Sequence, residues 1–189
     1  MRLIPKNFSV NLPWGMGGVS IDLSENAERA AWALYVELNT RIATEPLKKG
    51  EGSVREALTS LHHLFGIIRD ELKKAGIDVA RSRKGKESLA SISFRFLNDV
   101  IRPDLVRWHT SLSAYEADTW NEMLDDGKTI PNHPALAGAL VNESDWKDYE
   151  LFYSELELLQ AKLIKYVRIL GALAGVEMTD DVQLNNEDD

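Results

Sequence analysis

Apolar residues recur at spacings of three and four over most of this chain, the signature of amphipathic helices. The first such run starts near Asp22–Ser24 and extends to about Thr44, stopping before Pro46. Asp22 with Glu25 fits a capping box, and Ser24 is the competing cap. Ala27, Ala31, Leu34, Leu38 and Ile42 form a stripe that Trp32, Tyr35 and Val36 widen, so neighbours are expected on more than one side. The second run has the clearest start. Ser53-Val-Arg-Glu56 is a capping box, Val54, Leu58, Leu61, Phe65, Ile68, Leu72 and Ala75 follow, and Gly76 is the stop. A third runs from Ser88 to about residue 117, with Leu89, Ile92, Phe96 and Val100 on one stripe and Leu97, Ile101, Leu105, Trp108, Leu112 and Tyr115 on another. Pro103 interrupts it. Proline has no N–H to return to Asp99 and crowds that carbonyl, at a cost of about 3 kcal/mol in a helix interior, so a kinked helix or two abutting helices are predicted there. The fourth, from Ser144 to Gly175, carries Tyr149, Phe152, Leu156, Leu159, Leu163, Tyr166, Leu170 and Leu173 in an unbroken heptad seam.

No period-two run competes with these, and the fold class that follows is an all-α bundle of four long helices, residues 22–178. Residues 1–21, cut by Pro5, Pro13, Gly15, Gly17 and Gly18, read as an irregular arm with room for no more than a short strand, docked through Trp14. Residues 118–143, with Gly127, Pro131, Pro134 and Gly138, read as an irregular excursion with room for a short helix at 134–141.

Charge adds a tail to this picture. The chain has 189 residues and net charge −8. Its last eleven, Thr179–Asp189, hold five acids and no Lys or Arg, and lack the apolar surface to offset ordering entropy, so they are expected to be disordered. The body is then only mildly acidic, unlike a general nucleic-acid binder. Its basic cluster is Arg81, Arg83, Lys84 and Lys86, either a solvated loop or a contact for phosphate or an acidic partner. No aromatics interleave with it. The start, MRLIPKNFSV, lacks a signal-peptide core and no apolar run spans a bilayer, so a cytoplasmic, membrane-free protein is expected.

Several chemistries drop out. Cys is absent, which excludes disulfides, thiolate metal sites and cysteine nucleophiles. None of the four His follows a Glu by three positions, so the di-metal bundle motif is missing, and there is no His-Glu-x-x-His, Walker loop or Gly-x-Ser-x-Gly elbow. GMGG at 15–18 reads as a turn. No cofactor or metal is expected.

The polar residues of interest lie on helices. Glu37 and Arg41 are one turn apart, Arg55, His62 and Arg69 recur every seven residues, and Arg102 and His109 flank Pro103. They are either ion pairs worth about 0–1 kcal/mol each if exposed, or the lining of a polar pocket. At 100° per residue, positions seven apart share a face, so Arg102, His109 and a freed Asp99 carbonyl would line a notch.

Arg102-Pro-Asp-Leu-Val-Arg-Trp-His109, and Arg55 with His62, resemble the Arg–His element of HEPN-superfamily ribonucleases, in which both residues lie on one helix and the site is usually completed across a dimer. The resemblance implies a metal-independent ribonuclease in which His handles the proton of the ribose 2′-hydroxyl or leaving group and Arg holds the phosphate. Pro103 and Glu56 depart from it, since a small polar residue commonly follows the Arg. A second resemblance covers more of the chain. GGVS at 17–20, ERAAWALYVELNTRIA at 28–43, EGSVREALTSLHHLFG at 51–66 and LNDVIRPDLVRWH at 97–109 are similar to small bacterial proteins of unknown function that sit beside multi-component systems, phage defence among them. It implies an accessory subunit and no activity. Together these observations favour a non-enzymatic adaptor that binds a larger protein or its own copies. Trp14, Trp108, Trp120 and Trp146, in or beside irregular segments, are the candidate contacts, with packing of loops onto the bundle as their alternative role. The rival functions are a HEPN-like ribonuclease and an RNA- or DNA-binding subunit using residues 81–86.

Overall fold

The computed structural model describes residues 7–12, 18–40, 52–130, 141–176 and 182–184. They form a mainly α-helical bundle with a small sheet at one side. Helix α1 spans Glu25–Asn39, α2 Val54–Ala75, α3 Leu89–Arg95, α4 Arg102–Asp125 and α5 Tyr149–Leu173. Helix α1 packs on both α2 and α5, as its broad stripe predicts, and α2 packs on α4. Among the described residues no helix is long and apolar enough to cross a membrane.

The heptad seam of α5 is the centre of the core. Phe152, Leu156, Leu159, Leu163, Tyr166, Leu170 and Leu173 are all buried. In its second half Val167, Ile169 and Ala172 are buried too, so neighbours cover this helix nearly all round. Each large side chain so enclosed contributes roughly 1.5–3 kcal/mol through burial. The Tyr166 hydroxyl donates to Ser93 Oγ at 2.8 Å, and Ser93 Oγ donates to the Leu89 carbonyl at 2.7 Å, so a buried polar pair is satisfied inside the apolar centre. Burial pushes the Tyr166 phenol well above its ordinary range, which keeps it a neutral donor. Phe96 stacks on its ring with centroids 4.1 Å apart.

Helix starts follow the predicted chemistry. Ser24 caps α1, accepting from the Ala27 N–H at 3.1 Å, so the competing cap is the one used. Ser53 caps α2, and Gly76, at φ 80°, ends it. Ser88 caps α3.

Three expectations are corrected. The N-terminal segment is not an irregular arm: β1 (Asn7–Asn11) and β2 (Gly18–Asp22) pair antiparallel, with Val10 opposite Val19. Val10 and Ile21 are fully buried, and the Glu87 N–H donates to the Ser20 carbonyl at 2.7 Å, tying the sheet to the approach to α3. Part of the acidic tail is ordered: β3 (Val182–Leu184) pairs antiparallel with β1, giving the order β2-β1-β3. The edge of β1 offers unpaired backbone groups that reward even a weakly apolar strand. The third predicted helix is divided next to Pro103 into α3 and α4, as a proline break implies. A π-helical turn, Phe96–Ile101, joins them, and the Arg102 N–H returns to the Leu97 carbonyl, five residues back, so the hydrogen-bond ladder shifts register where proline's missing N–H and ring would disturb it. Helix α4 also continues past 117 to Asp125, which shortens the irregular excursion. The segments for the end of the first predicted helix, for Trp14 and for a short helix at 134–141 lie outside the described residues.

Candidate functional site: a polar seam between two helices

Helices α2 and α4 run antiparallel, so two ladders of polar residues seven apart come face to face. Arg55, His62 and Arg69 stand on α2, and Glu116, His109 and Arg102 stand opposite on α4. At one end the Arg55 Nε donates to Glu116 Oε1 at 2.7 Å, and a second guanidinium nitrogen contacts Oε2. Glu116 is buried and Arg55 is partly open to solvent. A buried carboxylate is tolerated only with such a partner. In the middle, the His62 and His109 rings meet edge to face with centroids 6.2 Å apart. At the other end the Arg102 guanidinium lies over the Phe65 ring, 5.3 Å from its centroid, a cation–π contact.

The two imidazoles differ. His62 is exposed. His109 is half-buried, and its basicity is lowered by burial first, then by His62 and Arg55, with partial offset from a hydrogen bond to the Leu58 backbone. Its Nε2 is buried and meets no hydrogen-bond partner among the described residues. A neutral imidazole is what this environment selects. Beside His62, an open cleft of about 420 Å³ follows α2, lined by His63, Phe65, Gly66, Arg69 and Asp70 as well.

The seam is held in place from a distance. Glu143, in the 3₁₀ turn Glu143–Asp145, accepts from Ser53 Oγ at 2.8 Å, the Val54 N–H at 2.6 Å and the Arg55 N–H at 3.1 Å. Its carboxylate thus closes the N-terminus of α2, where the helix dipole favours negative charge. Arg55 is therefore fixed twice, by its N–H to Glu143 and by its guanidinium to Glu116.

The expected notch of Arg102, His109 and the Asp99 carbonyl is not what forms. Arg102 turns to Phe65, Asp99 is exposed, and His109 faces His62. Glu116 and Glu143 were not singled out from sequence. Glu116 does continue the Arg102–His109 spacing by seven.

Of the candidate tryptophans, Trp108 and Trp146 are only 2% exposed and meet edge to face at 5.6 Å, with Phe152 against both. Their packing role is the one seen, and they are corrected from surface contacts to core. Arg107 covers the Trp108 ring at 4.4 Å and holds Glu155 through contacts of 2.7 and 2.8 Å. Trp120 is partly buried, and Trp14 lies outside the described residues. In the basic loop, Arg81, Arg83 and Lys84 are exposed and Lys86 is partly buried, while Arg81 pairs with Asp78 at 3.0 Å. Among the described residues the exposed tryptophan is instead Trp32, 49% open on α1, stacked on Tyr35 at 5.9 Å and one turn from Val36 at 39%. Helical periodicity alone assigned these residues to a widened core stripe.

No cluster of three or more His, Asp or Glu able to hold a metal ion occurs among the described residues. Comparisons of the chain with protein families, curated proteins and solved structures found no match.

Proposed function

We propose that this chain is a non-enzymatic helical accessory subunit that acts in the bacterial cytoplasm by holding a larger protein partner, within a multi-component system of the antiviral-defence kind. The observation that carries this reading is the Trp32–Val36 face of α1. A tryptophan half open to water, propped by a stacked tyrosine, supports binding, because buried aromatic anchors supply most of the affinity of protein interfaces. The seam adds support: Arg55 is engaged by Glu116, and His109 Nε2 is enclosed. Affinity capture from the native host tests the reading. The wild type should retain a partner that the Trp32→Ser protein loses, while both melt alike.

A second reading, a metal-independent ribonuclease, is favoured by one observation. Both Arg–His pairs, Arg55 with His62 and Arg102 with His109, converge on one seam of a single chain. Incubation of labelled RNA with the wild type and with His62→Ala and His109→Ala tests it. Cleavage lost in either variant supports the nuclease, and intact RNA throughout rejects it.

A further inference from the structure

A second surface is built from residues other than Trp32, Tyr35 and Val36. Where α2 ends, the chain turns through Gly76 into a 3₁₀ turn, Ile77–Ala80, and returns as α3. Between these three elements lies a cleft of about 400 Å³, within the roughly 300–1,000 Å³ range of binding pockets. Its walls are aliphatic and aromatic: Leu72, Val79, Ala90 and Phe94 line it with Ile77. Ile77 is 68% exposed and Phe94 48%, which leaves two large side chains at the mouth in water.

The rim is cationic. Arg69 and Lys73 border the cleft, both largely exposed, and both lean on the single carboxylate of Asp70, at 3.9 and 3.6 Å. Two cations share one acid there. The surrounding sequence amplifies this. Residues 69–87 carry seven Lys and Arg against four Asp and Glu, whereas the whole chain has a net charge of −8. An apolar slot in the basic part of an acidic protein selects a ligand that is apolar on one side and negative around it.

We infer that this cleft is a docking site for an acidic amphipathic segment of a partner protein, whose bulky apolar residues fill the slot between Ile77 and Phe94 while its carboxylates meet Arg69 and Lys73. A nucleic acid fits less well, because the walls are aliphatic and present one aromatic ring, where single strands need successive stacking platforms. The inference rests on the accessory-subunit reading and names a contact different from Trp32.

The test uses the full-length protein and a fluorescein-labelled peptide of about 16 residues with Leu and Phe on one helical face and Glu elsewhere. Fluorescence anisotropy should show saturable binding that weakens as salt rises, and the same peptide with Lys in place of Glu should not bind. Arg69→Glu combined with Lys73→Glu should weaken binding about tenfold or more. Phe94→Ser should do the same, and circular dichroism checks that each variant is folded. The Trp32→Ser protein should bind the peptide as the wild type does. Equal binding of the Lys peptide, or binding unchanged in both cleft variants, overturns the inference. So does a labelled single-stranded RNA that binds the wild type more tightly than the Glu peptide and is lost in the Arg69/Lys73 variant. If the host partner is captured equally well by the Phe94→Ser and wild-type proteins, the cleft assignment fails while the accessory reading stands. If the wild type captures no partner, the accessory reading fails first.

Discussion

Replacing Glu143 with Ala removes one carboxylate and unties three donors at the start of α2: Ser53 Oγ, the Val54 N–H and the Arg55 N–H. Ser53 Oγ remains as a local cap, accepting from the Arg55 N–H at 3.1 Å, so the helix start is not stripped bare. What is lost is chiefly the short Val54 bond, in a partly buried setting. A hydrogen bond to a charged acceptor contributes about 1.5–3 kcal/mol net, and charge at a helix N-terminus adds about 0.3–1. Allowing for the surviving cap, the expected cost is about 2–3 kcal/mol. In a chain of this size each kcal/mol moves the melting temperature by about 2–4 °C, so a fall of roughly 4–12 °C is expected. Glu143→Gln keeps an acceptor and should cost less than half as much. Urea unfolding followed by helical circular dichroism measures both. A cycle with Ser53→Ala should show non-additivity, since Ser53 and Glu143 serve the same donors. A Glu143→Ala protein within about 0.5 kcal/mol of wild type, the scale of ordinary surface changes, would falsify the remote-cap account.

Leu163→Ala should cost about 2–5 kcal/mol, as befits a fully buried position in the α5 seam, and a loss under about 1 in chemical denaturation would place the seam elsewhere. Tyr166→Phe strips the hydroxyl from Ser93 and should cost about 1–3 kcal/mol, an effect absent when Ser93→Ala is already in place. His109 is less basic folded than unfolded, so the unfolded chain binds the extra proton. Its contribution to stability is intact above the ordinary value of 6.5 and is lost as pH falls from there toward the folded value. His109→Gln should flatten that part of the stability–pH curve, and an NMR titration placing His109 at or above 6.5 would refute the sign. Truncation after residue 178 withdraws β3 from β1 and should lower the melting temperature by a few degrees. An unchanged melt would mean that the pairing contributes nothing.

The helical part of this fold is written in the sequence because helix signals are local. The Ser53 cap, the Gly76 stop and the α5 heptads each act within a few residues, and each stands where the pattern predicts. The sheet was legible but outvoted. Phe8, Val10 and Leu12 alternate with Ser9 and Asn11, and Val19 and Ile21 alternate with Gly18 and Ser20, yet the nearby prolines and glycines read as loop. Strand β3 was not legible, since its order comes from a β1 edge more than 170 residues away in sequence. Half of the polar seam could be read. The spacing by seven put Arg55 with His62 and Arg102 with His109 on shared faces, but only the antiparallel packing of α2 on α4 brings the two ladders together. Glu116 and Glu143 carry partners 61 and 88 residues distant, which no window of sequence contains. The tryptophans misled for the complementary reason. Position beside a loop says nothing about burial, and Trp108 and Trp146 seal the core while Trp32, mid-helix, faces water.

The claim that this protein works by protein contact is tested most directly by the mass of the tagged chain purified gently from its native host. Native mass spectrometry should find the wild type in a complex larger than the chain's own 21.3 kDa, containing a second protein in fixed ratio, and should find the Trp32→Ser protein without it. A wild-type protein that emerges at its own mass, or a complex indifferent to Trp32, would contradict the account.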